Sequence, residues 1–568
     1  MAKQGKHPKG LMVLFFTEMW ERFGFYLLIG IFFLYMTASK DGNFPGMGFT
    51  GTKASDIYGS YLALVYLTPF IGGLLADRYL GYRLSITIGG LLFSAGYFLL
   101  AVNNETTFFA ALGLIILGNG LFKPNISALV GKIYDADPKY KDLKDSGYNI
   151  FYMGINVGAF ICNFIAAYLR INYGWGWAFA AAGVGMLIGV IWFWTGQLRA
   201  HDIKAVDKVS PPTKEDMPMI KILKTLFAPA IVAAIIGWII PGNIFGADST
   251  DAFLLFSIVV VIFYINILRT AKKQEKEPIK ALLAVFGAVV IFWAIFHQNG
   301  AALTVWAENH TNREVPAAIE KPVTTLSLNQ VVSTELKEQT KTDIHGAEVL
   351  DESGEPVTQM LPDTYFHNIP VSEWPESGKK NLIATELFQS INPGFIILFT
   401  PLVVGFFNFI GRRRKKGPVP TPAKIGWGMV ITALSAVVMI FAVYASNNGA
   451  VKASAGWLFG TYAVITIGEL CLSPMGLSLV SKLSPPRITA LMMGGWFLST
   501  SIGNKLSGVL SGMWGVYENK AFFFLTNTLL AGLSVILIFS MLPWLNRVMK
   551  KYTEDKPSIP EELVEEEI

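Results

Sequence analysis

The chain has 568 residues, of which 52% are hydrophobic and only 15% are charged, and its formal net charge is +5. Ordinary globular domains carry about 25% charged residues, so this composition excludes a typical soluble protein. The basic residues fall in loops between apolar stretches, which argues against a nucleic-acid surface. The sequence contains no GxxxxGK[ST] pattern, so ATP-driven activity on this chain is not predicted either.

Long apolar segments recur along the whole chain, and about fourteen approach the ~20 residues with which a helix crosses a bilayer. The ~10-residue alternating segments of a β-barrel are absent. The predicted spans are, in chain order, 11–37, 56–77, 84–103, 108–131, 147–170, 177–197, 226–245, 252–268, 280–306, 386–410, 425–446, 456–482, 488–513 and 521–544. This pattern predicts an all-α polytopic membrane protein.

The spans divide into six, an extra pair and a further six, which predicts two bundles with a binding site between them. The predicted units are an N-terminal six-helix bundle (1–200), a cytosolic linker with the extra helix pair (201–278), a C-terminal six-helix bundle (279–545) and an acidic cytosolic tail (546–568). The acidic segment 307–385 interrupts the second bundle. It is either a small extramembrane subdomain or partly disordered, and a substrate-capturing cap is a further alternative.

The charges of the loops predict the orientation of the chain. Alternate loops are rich in Lys and Arg, among them 76–83, 269–280 and 411–424. The positive-inside rule places these loops in the cytoplasm. Both termini are then cytoplasmic, and the segment 307–385 lies outside.

The first predicted span carries three charges, Glu18, Glu21 and Arg22. A charge at the middle of a bilayer costs on the order of 2.5–3.5 kcal/mol, so three in one span indicate a function rather than packing. Glu18 and Arg22 are four residues apart and can pair on one helix face, which Tyr26 extends by another turn. We therefore predict that this helix face lines part of a path for an ion or a substrate.

Lys123 and Glu469 are further charges inside predicted spans. Lys123 precedes Pro124 in the fourth span, and Glu469 lies deep in the span 456–482, one turn before Ser473. A proline inside a helix leaves one backbone carbonyl without its hydrogen bond. In a membrane, such a carbonyl is tolerated only where it faces other protein or a water-filled cavity. Because a buried charge must be paired or face water, Lys123 and Glu469 are predicted to be functional.

Three uncharged groups, Asn156, Asn392 and Trp496, also lie inside predicted spans. An intramembrane Asn joins two helices more often than it binds a ligand. A single Trp in a span is usually a packing residue. Both interpretations stay open for these three residues.

Several motifs, taken in order, resemble those of the proton-coupled oligopeptide transporters of the major facilitator superfamily. They are ExxERF at 18–23, GGLLADRYLGYR at 72–83, FKPN at 122–125, FYMGINVGAF at 151–160, FQSINP at 388–393, GELCLSPMGLSLVSKLSP from 468 and MGGWFLSTSIGNKLSG from 493. The resemblance covers nearly the whole chain, except the segment 307–385 and both tails. The extra helix pair near 226–268 resembles that of bacterial members.

The resemblance implies the major facilitator fold, in which two six-helix bundles rock about a central cavity. It also implies a symporter that imports di- and tripeptides together with protons. The positions that match the family's proton-coupling cluster are Glu18, Glu21, Arg22 and Lys123. Lys123 would also pair with Glu469 to form a gate on one side.

The resemblance further implies a binding pocket. Glu469, Asn156 and Asn392 would receive the amino terminus of the peptide. The other positions that match cavity-lining residues are Tyr26, Tyr66, Ser473 and Trp496. Because a zwitterionic peptide presents two separated opposite charges, Lys123 is also predicted to bind the substrate, as the cation opposite Glu469.

The chain departs from the family pattern at three positions. Phe25 stands where a tyrosine is common, Ile29 where an arginine is usual, and His297 where an acidic residue is frequent. His297 is the only one of the six histidines within a predicted apolar span. It is either a neutral imidazole bonded to a backbone carbonyl or a titrating group that joins the proton-coupling residues and tunes pH dependence.

We therefore predict a transporter of a bacterial inner membrane and not an enzyme, with protons as the coupling ion and no cofactor or metal. The expected partners are a di- or tripeptide, protons and the lipid bilayer, with no nucleic acid and a monomer as the functional unit. One alternative is a proton symporter of the same fold for another small zwitterion or anion. The other is a ligand sensor that does not transport.

Overall fold

The computed structural model describes residues 6–554 except 41–42, 208, 210–217, 243, 342–348, 350, 352–356, 368, 415–417 and 486–487. Its helices are α1 (Gly10–Thr37), α2 (Gly51–Leu75), α3 (Tyr82–Leu100), α4 (Glu105–Asp135), α5 (Lys144–Tyr173), α6 (Trp175–Arg199), α7 (His201–Val206), α8 (Met219–Ile222), α9 (Ala228–Ile239), α10 (Asp248–Thr270), α11 (Lys276–Phe296), α12 (Ala302–Asn309), α13 (Glu320–Thr325), α14 (Ile391–Arg413), α15 (Thr421–Ala445), α16 (Gly456–Leu483), α17 (Thr489–Gly512) and α18 (Lys520–Glu554). The strands are β1 (Thr311–Asn312), β2 (Asn329–Ser333), β3 (Lys337–Thr340), β4 (Thr358–Leu361), β5 (Lys379–Ile383) and β6 (Ala453–Ser454).

Thirteen helical segments of the described chain are long and apolar enough to cross a membrane. They cover every predicted span except 488–513, where α17 stands. Helix α17 is more polar because it binds α2 through side chains: Ser501 Oγ donates to the carbonyl of Ala63 at 2.6 Å, and Lys505 pairs with Asp56 at 2.5 Å. The predicted all-α polytopic fold is confirmed.

The long helices form two bundles and an extra pair. In the first bundle, α1 packs against α5 and α6, and α4 packs against α2 and α3. In the second bundle, α15 packs against α16 and α18, and α11 packs against α17. The two bundles contact each other where α2 meets α17 and where α5 meets α14.

The proline inside α4 lies at a close helix contact. Pro124 has no N–H to donate, so the carbonyl of Gly120 lacks the hydrogen bond that residue 124 would otherwise give it. The carbonyl points at Gly72 of α2, where an added Cβ would lie only 1.9 Å from the oxygen. The missing side chain of Gly72 therefore lets α2 and α4 approach closely beside Lys123.

The extra pair is tied to the second bundle and also to α2. Helix α8 continues through a π-helical turn into α9, which packs against α10. The hydroxyl of Tyr264 in α10 donates to the carbonyl of Leu491 in α17 at 2.8 Å. At the other end of α10, the hydroxyl of Ser249 donates to Asp56 of α2 at 2.6 Å.

The predicted insertion 307–385 begins later than expected, because α12 continues to Asn309. Its described residues include two antiparallel strand pairs, β2 with β5 and β3 with β4. A small apolar core of Val332, Tyr365, Phe366 and Leu382 lies beside β2 and β5. The described part of the insertion thus forms a small subdomain; residues 342–348, 350, 352–356 and 368 lie outside the description.

The predicted acidic tail 546–568 also begins later, because α18 continues through Glu554. Leu545 and Val548 are buried, and Met549 and Tyr552 pack against the same apolar cluster. Their spacing of three to four residues matches one helix face, which explains the extension. Residues 555–568 lie outside the described residues.

Candidate substrate cavity and charged cluster

The three charges of α1 form one buried cluster. Glu18, Glu21 and Arg22 are exposed by 3% or less. Arg22 Nη2 donates to Glu21 Oε1 at 2.6 Å, and its Nε contacts Glu21 Oε2. Arg22 Nε also lies 3.3 Å from Glu18 Oε1, which confirms the predicted pair four residues apart. Arg22 thus binds Glu21 with two contacts and Glu18 with one.

The two carboxylates differ in their remaining contacts. Glu18 Oε2 is buried and has no hydrogen-bond partner among the described residues. Both oxygens of Glu21 contact Arg22. An unpaired buried carboxylate oxygen is costly, whereas a bidentate one is satisfied. Protonation would therefore stabilise Glu18 more than Glu21 in this conformation.

Lys123 of α4 lies beside the same cluster. Its Nζ sits 4.2 Å from the ring centre of Tyr66, and it interacts electrostatically with Glu18, Glu21 and Arg22. The predicted pair with Glu469 is not among the ion pairs of the described residues, so this expectation is wrong for the present conformation. Lys123 is held at the α1 cluster, and Glu469 is hydrogen-bonded elsewhere.

A cavity lies between the two bundles. Five of the predicted site residues line it, namely Tyr26, Tyr66, His297, Asn392 and Glu469. It encloses about 90 Å³, well below the roughly 300–1,000 Å³ of typical ligand pockets. The cavity is therefore contracted, and a substrate larger than a few waters requires the bundles to move apart.

Glu469 is the charged group of the cavity wall. Its Oε2 accepts a hydrogen bond from Asn392 Nδ2 at 3.1 Å, which joins α16 to α14. Tyr26, Tyr66 and Tyr152 interact with it electrostatically. It forms no ion pair within the part of the chain that the structure describes. A buried carboxylate without a cation is a site for a positively charged ligand group.

Four predicted substrate-binding residues do not line this cavity. Lys123 lies at the α1 cluster, on the ring of Tyr66. Asn156 Nδ2 donates to the carbonyl of Tyr152 in its own helix at 2.9 Å. Ser473 Oγ is buried without a partner among the described residues. Trp496 is 3% exposed and packs edge-on against Phe286, which matches the packing interpretation. Their predicted binding roles remain predictions for another conformation.

His297 lies in the cavity wall and not in the α1 cluster. Its ring stacks on Trp293 with centres 5.6 Å apart and lies beside Tyr66. The Nε2 atom is buried and has no partner among the described residues. The ring is buried, and the charged group that acts on it is the cation Lys123.

Sequence reasoning missed several polar lining residues: Tyr58, Asn163, Trp293, Asn299 and Gln389. None of these residues is charged, so the argument from the cost of burying a charge could not identify them. Asn299 and Gln389 flank the predicted residues His297 and Asn392 by only two and three positions. Asn299 and Gln389 could therefore have been predicted from their closeness in sequence to predicted site residues.

One end of the cavity is closed by contacts between the bundles. We call the side where α12 ends and α14 begins the insertion side. There Arg170 of α5 binds Glu386 with two hydrogen bonds of 2.6 and 2.9 Å, and Glu386 is fully buried. Asn163 Nδ2 donates to Ser390 Oγ at 3.1 Å. We call these two contacts, together with the pair of Lys505 and Asp56, the insertion-side seal.

The insertion is attached to the second bundle next to this seal. Strand β1 pairs in parallel with β6, and Lys452 Nζ donates to the carbonyl of Asn309 at 2.6 Å. The ammonium group of Lys452 also lies 4.6 Å from the ring centre of Tyr365. Burial lowers the pKa of Lys452 to about 8 and that of His310 to about 4. His310 is therefore neutral and Lys452 remains largely charged at neutral pH.

Two bundles, a cavity between them that is closed on the insertion side, and buried carboxylates define a secondary transporter of the major facilitator type. Within the described residues, no group of three or more His, Cys, Asp or Glu could hold a metal ion. The profile of the family described as "PTR2: POT family" matches residues 83–328 and 377–526. The chain belongs to the POT family of transporters.

Individual relatives agree with this assignment. The chain is 30% identical over 544 residues to the di-/tripeptide transporter of Lactococcus lactis subsp. lactis (strain IL1403), covering 94% of this chain and 95% of the relative. A crystal structure of a mutant peptide transporter POT in complex with alafosfalin is similar, with a TM-score of 0.73, 28% identity and coverage of 96% and 97%. A POT family transporter in complex with a thioalcohol-conjugated peptide has a TM-score of 0.72 and 25% identity, with coverage of 95% and 97%.

Proposed function

We propose that this protein is a proton-coupled symporter that imports di- and tripeptides by alternating access. The observation that carries the proposal is Glu469, a buried carboxylate in the wall of a cavity between two bundles, without a described cation to pair with. A free peptide amino terminus is such a cation. The names of the relatives, among them a di-/tripeptide transporter, support peptides as the substrate class.

The α1 cluster supplies the proton site of this proposal. Arg22 contacts both carboxylate oxygens of Glu21, whereas Glu18 keeps one buried oxygen without a described partner. Glu18 takes the proton in the present conformation. A rearrangement that brings Lys123 closer to Glu18 would stabilise its ionised form and release the proton.

Substrate and proton are coupled through the residues between the two sites. Tyr66 lines the cavity, and the ammonium group of Lys123 lies over its ring in a cation–π contact. A substrate that moves Tyr66 therefore also moves a cation next to Glu18. This connection explains how loading of the cavity alters the affinity of the cluster for a proton.

The proposal includes a membrane location and orientation. The basic loops 76–83 and 269–280 and the described residues 411–414 and 418–424 lie on the side opposite the insertion, which the positive-inside rule assigns to the cytoplasm. The termini are then cytoplasmic and the insertion side faces the outside of a bacterial inner membrane. The monomer contains the whole cavity and is the proposed functional unit.

The test is uptake of a labelled dipeptide into proteoliposomes that contain the full chain. An inward proton gradient should drive accumulation above the external concentration, and a protonophore should abolish it. Binding without uptake in the same vesicles would support the sensor alternative. Uptake that ignores the proton gradient would contradict the coupling.

A further inference from the structure

One part of the insertion packs against both bundles. We call residues 320–333 and 379–387 the insertion root; they carry α13, β2, β5 and the chain that leads into α14. Leu328 of the root is 7% exposed and lies in one apolar cluster with Ala384 and with Ala167 of α5, which are both fully buried. Helix α5 belongs to the first bundle, whereas the insertion is joined at both ends to the second. The cluster therefore bridges the two bundles.

The cluster lies on the same face of α5 as the insertion-side seal. Asn163, Ala167 and Arg170 follow one another at spacings of four and three residues, which places them on one helix face. Asn163 donates to Ser390, and Arg170 binds Glu386. The apolar cluster thus lies between two polar contacts of the seal.

The turn that presents Leu328 is a Schellman motif at the end of α13. The N–H of Leu328 donates to the carbonyl of Val323 at 2.9 Å. The N–H of Ser327 donates to the carbonyl of Thr324 at 3.0 Å, and Ser327 has a φ of 50°, the left-handed conformation of this motif. Val323 and Leu328 pack in the same cluster, which is the apolar contact that accompanies the motif. The local sequence therefore fixes the position of Leu328 relative to α13.

The insertion also holds the segment that carries Glu386. The N–H of Ala384 donates to the carbonyl of Leu328 at 3.3 Å, directly beyond the paired strands β2 and β5. Arg313 of the insertion is 1% exposed and donates to the carbonyl of Ile383 at 2.8 Å. Ile383 and Ala384 precede Glu386 by three and two residues, so these bonds restrict where its carboxylate can lie.

We propose that the insertion root is part of the gate on the insertion side, with Leu328 seated against α5 while that side is closed and withdrawn from α5 when it opens. This inference rests on alternating access, which belongs to the proposed function. It assigns gating to the root and not to residues 334–378 beyond it.

The physical reason is the exclusion of water from the pair of Arg170 and Glu386. The side chain of Glu386 is 0% exposed and that of Arg170 is 12% exposed. Two opposite charges attract each other more strongly where water is excluded, because the effective dielectric constant is lower. The apolar cluster begins one helical turn from Arg170. Its loss would admit water beside the pair and also remove apolar burial that holds the two bundles together.

The first test links the root to α5 covalently. Ala167→Cys is combined with Leu328→Cys in a chain that also carries Cys162→Ala and Cys471→Ala, because both native cysteines are free. A short bifunctional thiol reagent that a reductant cleaves joins the two new cysteines. Dipeptide uptake should fall by about tenfold or more on linking and return on reduction, because the insertion side can no longer open. Unchanged uptake by the linked protein would overturn the inference.

A linked pair inside the insertion is the control for this test. Ser333 and Lys379 are partners in the antiparallel register of β2 and β5. Ser333→Cys with Lys379→Cys, treated with the same reagent, should keep its uptake, since both residues belong to the root and move with it. An equal loss in this control would contradict a specific role of the bridge to α5.

Labelling from outside the cell measures opening without requiring transport. In the same background, Gln389→Cys places a thiol in the cavity wall, and intact cells receive a membrane-impermeant thiol reagent. Leu328→Ala should raise the labelling rate by about threefold to tenfold, because the closed conformation loses its apolar contact. Leu326→Ala is the matched control, since Leu326 is 58% exposed, and it should leave the rate unchanged. Equal rates in the two variants would overturn the inference.

Two variants of Ser327 keep the test decisive if Leu328→Ala folds poorly. Ser327→Gly suits the left-handed conformation and should keep the labelling rate of the unmodified turn. Ser327→Val opposes this conformation, because a β-branched residue rarely adopts a positive φ, and it should raise the rate as Leu328→Ala does. The same rate in both variants would contradict the role of the turn.

The outcomes for the inference and for the proposed function are distinct. If the unmodified chain does not accumulate labelled dipeptide, the proposed function fails, whereas the labelling comparison of Leu328→Ala with Leu326→Ala still tests the gate. If the unmodified chain transports and linking the root to α5 leaves uptake unchanged, only the present inference fails.

Discussion

Two regions of the molecule bury charges in different ways. The cluster of Glu18, Glu21, Arg22 and Lys123 lies on α1 and α4, within one bundle. The insertion-side seal joins residues of different bundles, with Arg170 on α5 facing Glu386 and Asp56 on α2 facing Lys505. The first region has an unsatisfied carboxylate oxygen, while the charges of the seal form two ion pairs.

The difference separates two tasks that buried charges can perform. Charges within one bundle stay together when the bundles move, so they can gain or lose a proton without losing their neighbours. Charges that join two bundles must separate when the insertion side opens. The cluster is therefore suited to binding a proton, and the seal is suited to setting which side of the cavity is open.

The largest expected effect follows from Glu21→Gln. This change removes the carboxylate that binds Arg22 by two contacts, so Arg22 is left to pair with Glu18 and the proton site is lost. We expect proton-driven accumulation of dipeptide to disappear, whereas exchange down the substrate's own gradient survives because the cavity is unchanged. Both are measured in proteoliposomes with and without a proton gradient.

Glu105→Gln is the control for this prediction, because Glu105 is an exposed carboxylate of the same bundle that pairs with Lys53. It should accumulate dipeptide like the unmodified protein. Accumulation at the unmodified rate by Glu21→Gln would show that this carboxylate is not needed for coupling.

An intermediate effect is expected when the seal is broken. Glu386→Gln leaves Arg170 without its charged partner, and losing one member of a buried pair costs about 3–5 kcal/mol. The insertion-closed conformation should become less populated, and uptake should fall by about tenfold. The closed state is measured by labelling of a cysteine placed at Ser390, which lies in the seal.

The exchanged pair Arg170→Glu with Glu386→Arg should recover part of the uptake. A double-mutant cycle should then give a coupling energy on the order of 1 kcal/mol or more. Asp137→Asn, which breaks an exposed pair with Lys139, is the matched control and should change little. Additive losses in the cycle would contradict a joint role of Arg170 and Glu386.

The smallest effect is expected from shortening the insertion. Ser333 and Lys379 are paired in the antiparallel register of β2 and β5. Replacing residues 334–378 by Asn-Gly would join them through a two-residue hairpin turn. The seal and the β1–β6 pair remain, so uptake should stay within about twofold of the full chain. A folded, shortened protein that no longer transports would instead indicate that the outer subdomain captures or gates the substrate.

The sequence alone predicted the fold class, the family and the charges deep inside apolar segments, because burying a charge in a membrane is costly. It did not predict Arg170, Glu386 and Lys505, which lie toward the ends of predicted spans. Glu18, Glu21 and Arg22 were found in this way, and helix geometry correctly paired Glu18 with Arg22. The wall residues Trp293 and Asn163 carry no such signal, since neither is charged.

Only the tertiary structure decided which of these groups meet. Lys123 and Glu469 were expected to pair, but Lys123 lies on the ring of Tyr66 and Glu469 binds Asn392. Arg170 and Glu386 are 216 residues apart and no local pattern connects them, yet they close one side of the cavity. The physical reason is that periodicity determines the face of a helix on which a side chain lies, while the partner of that side chain depends on how the two bundles dock.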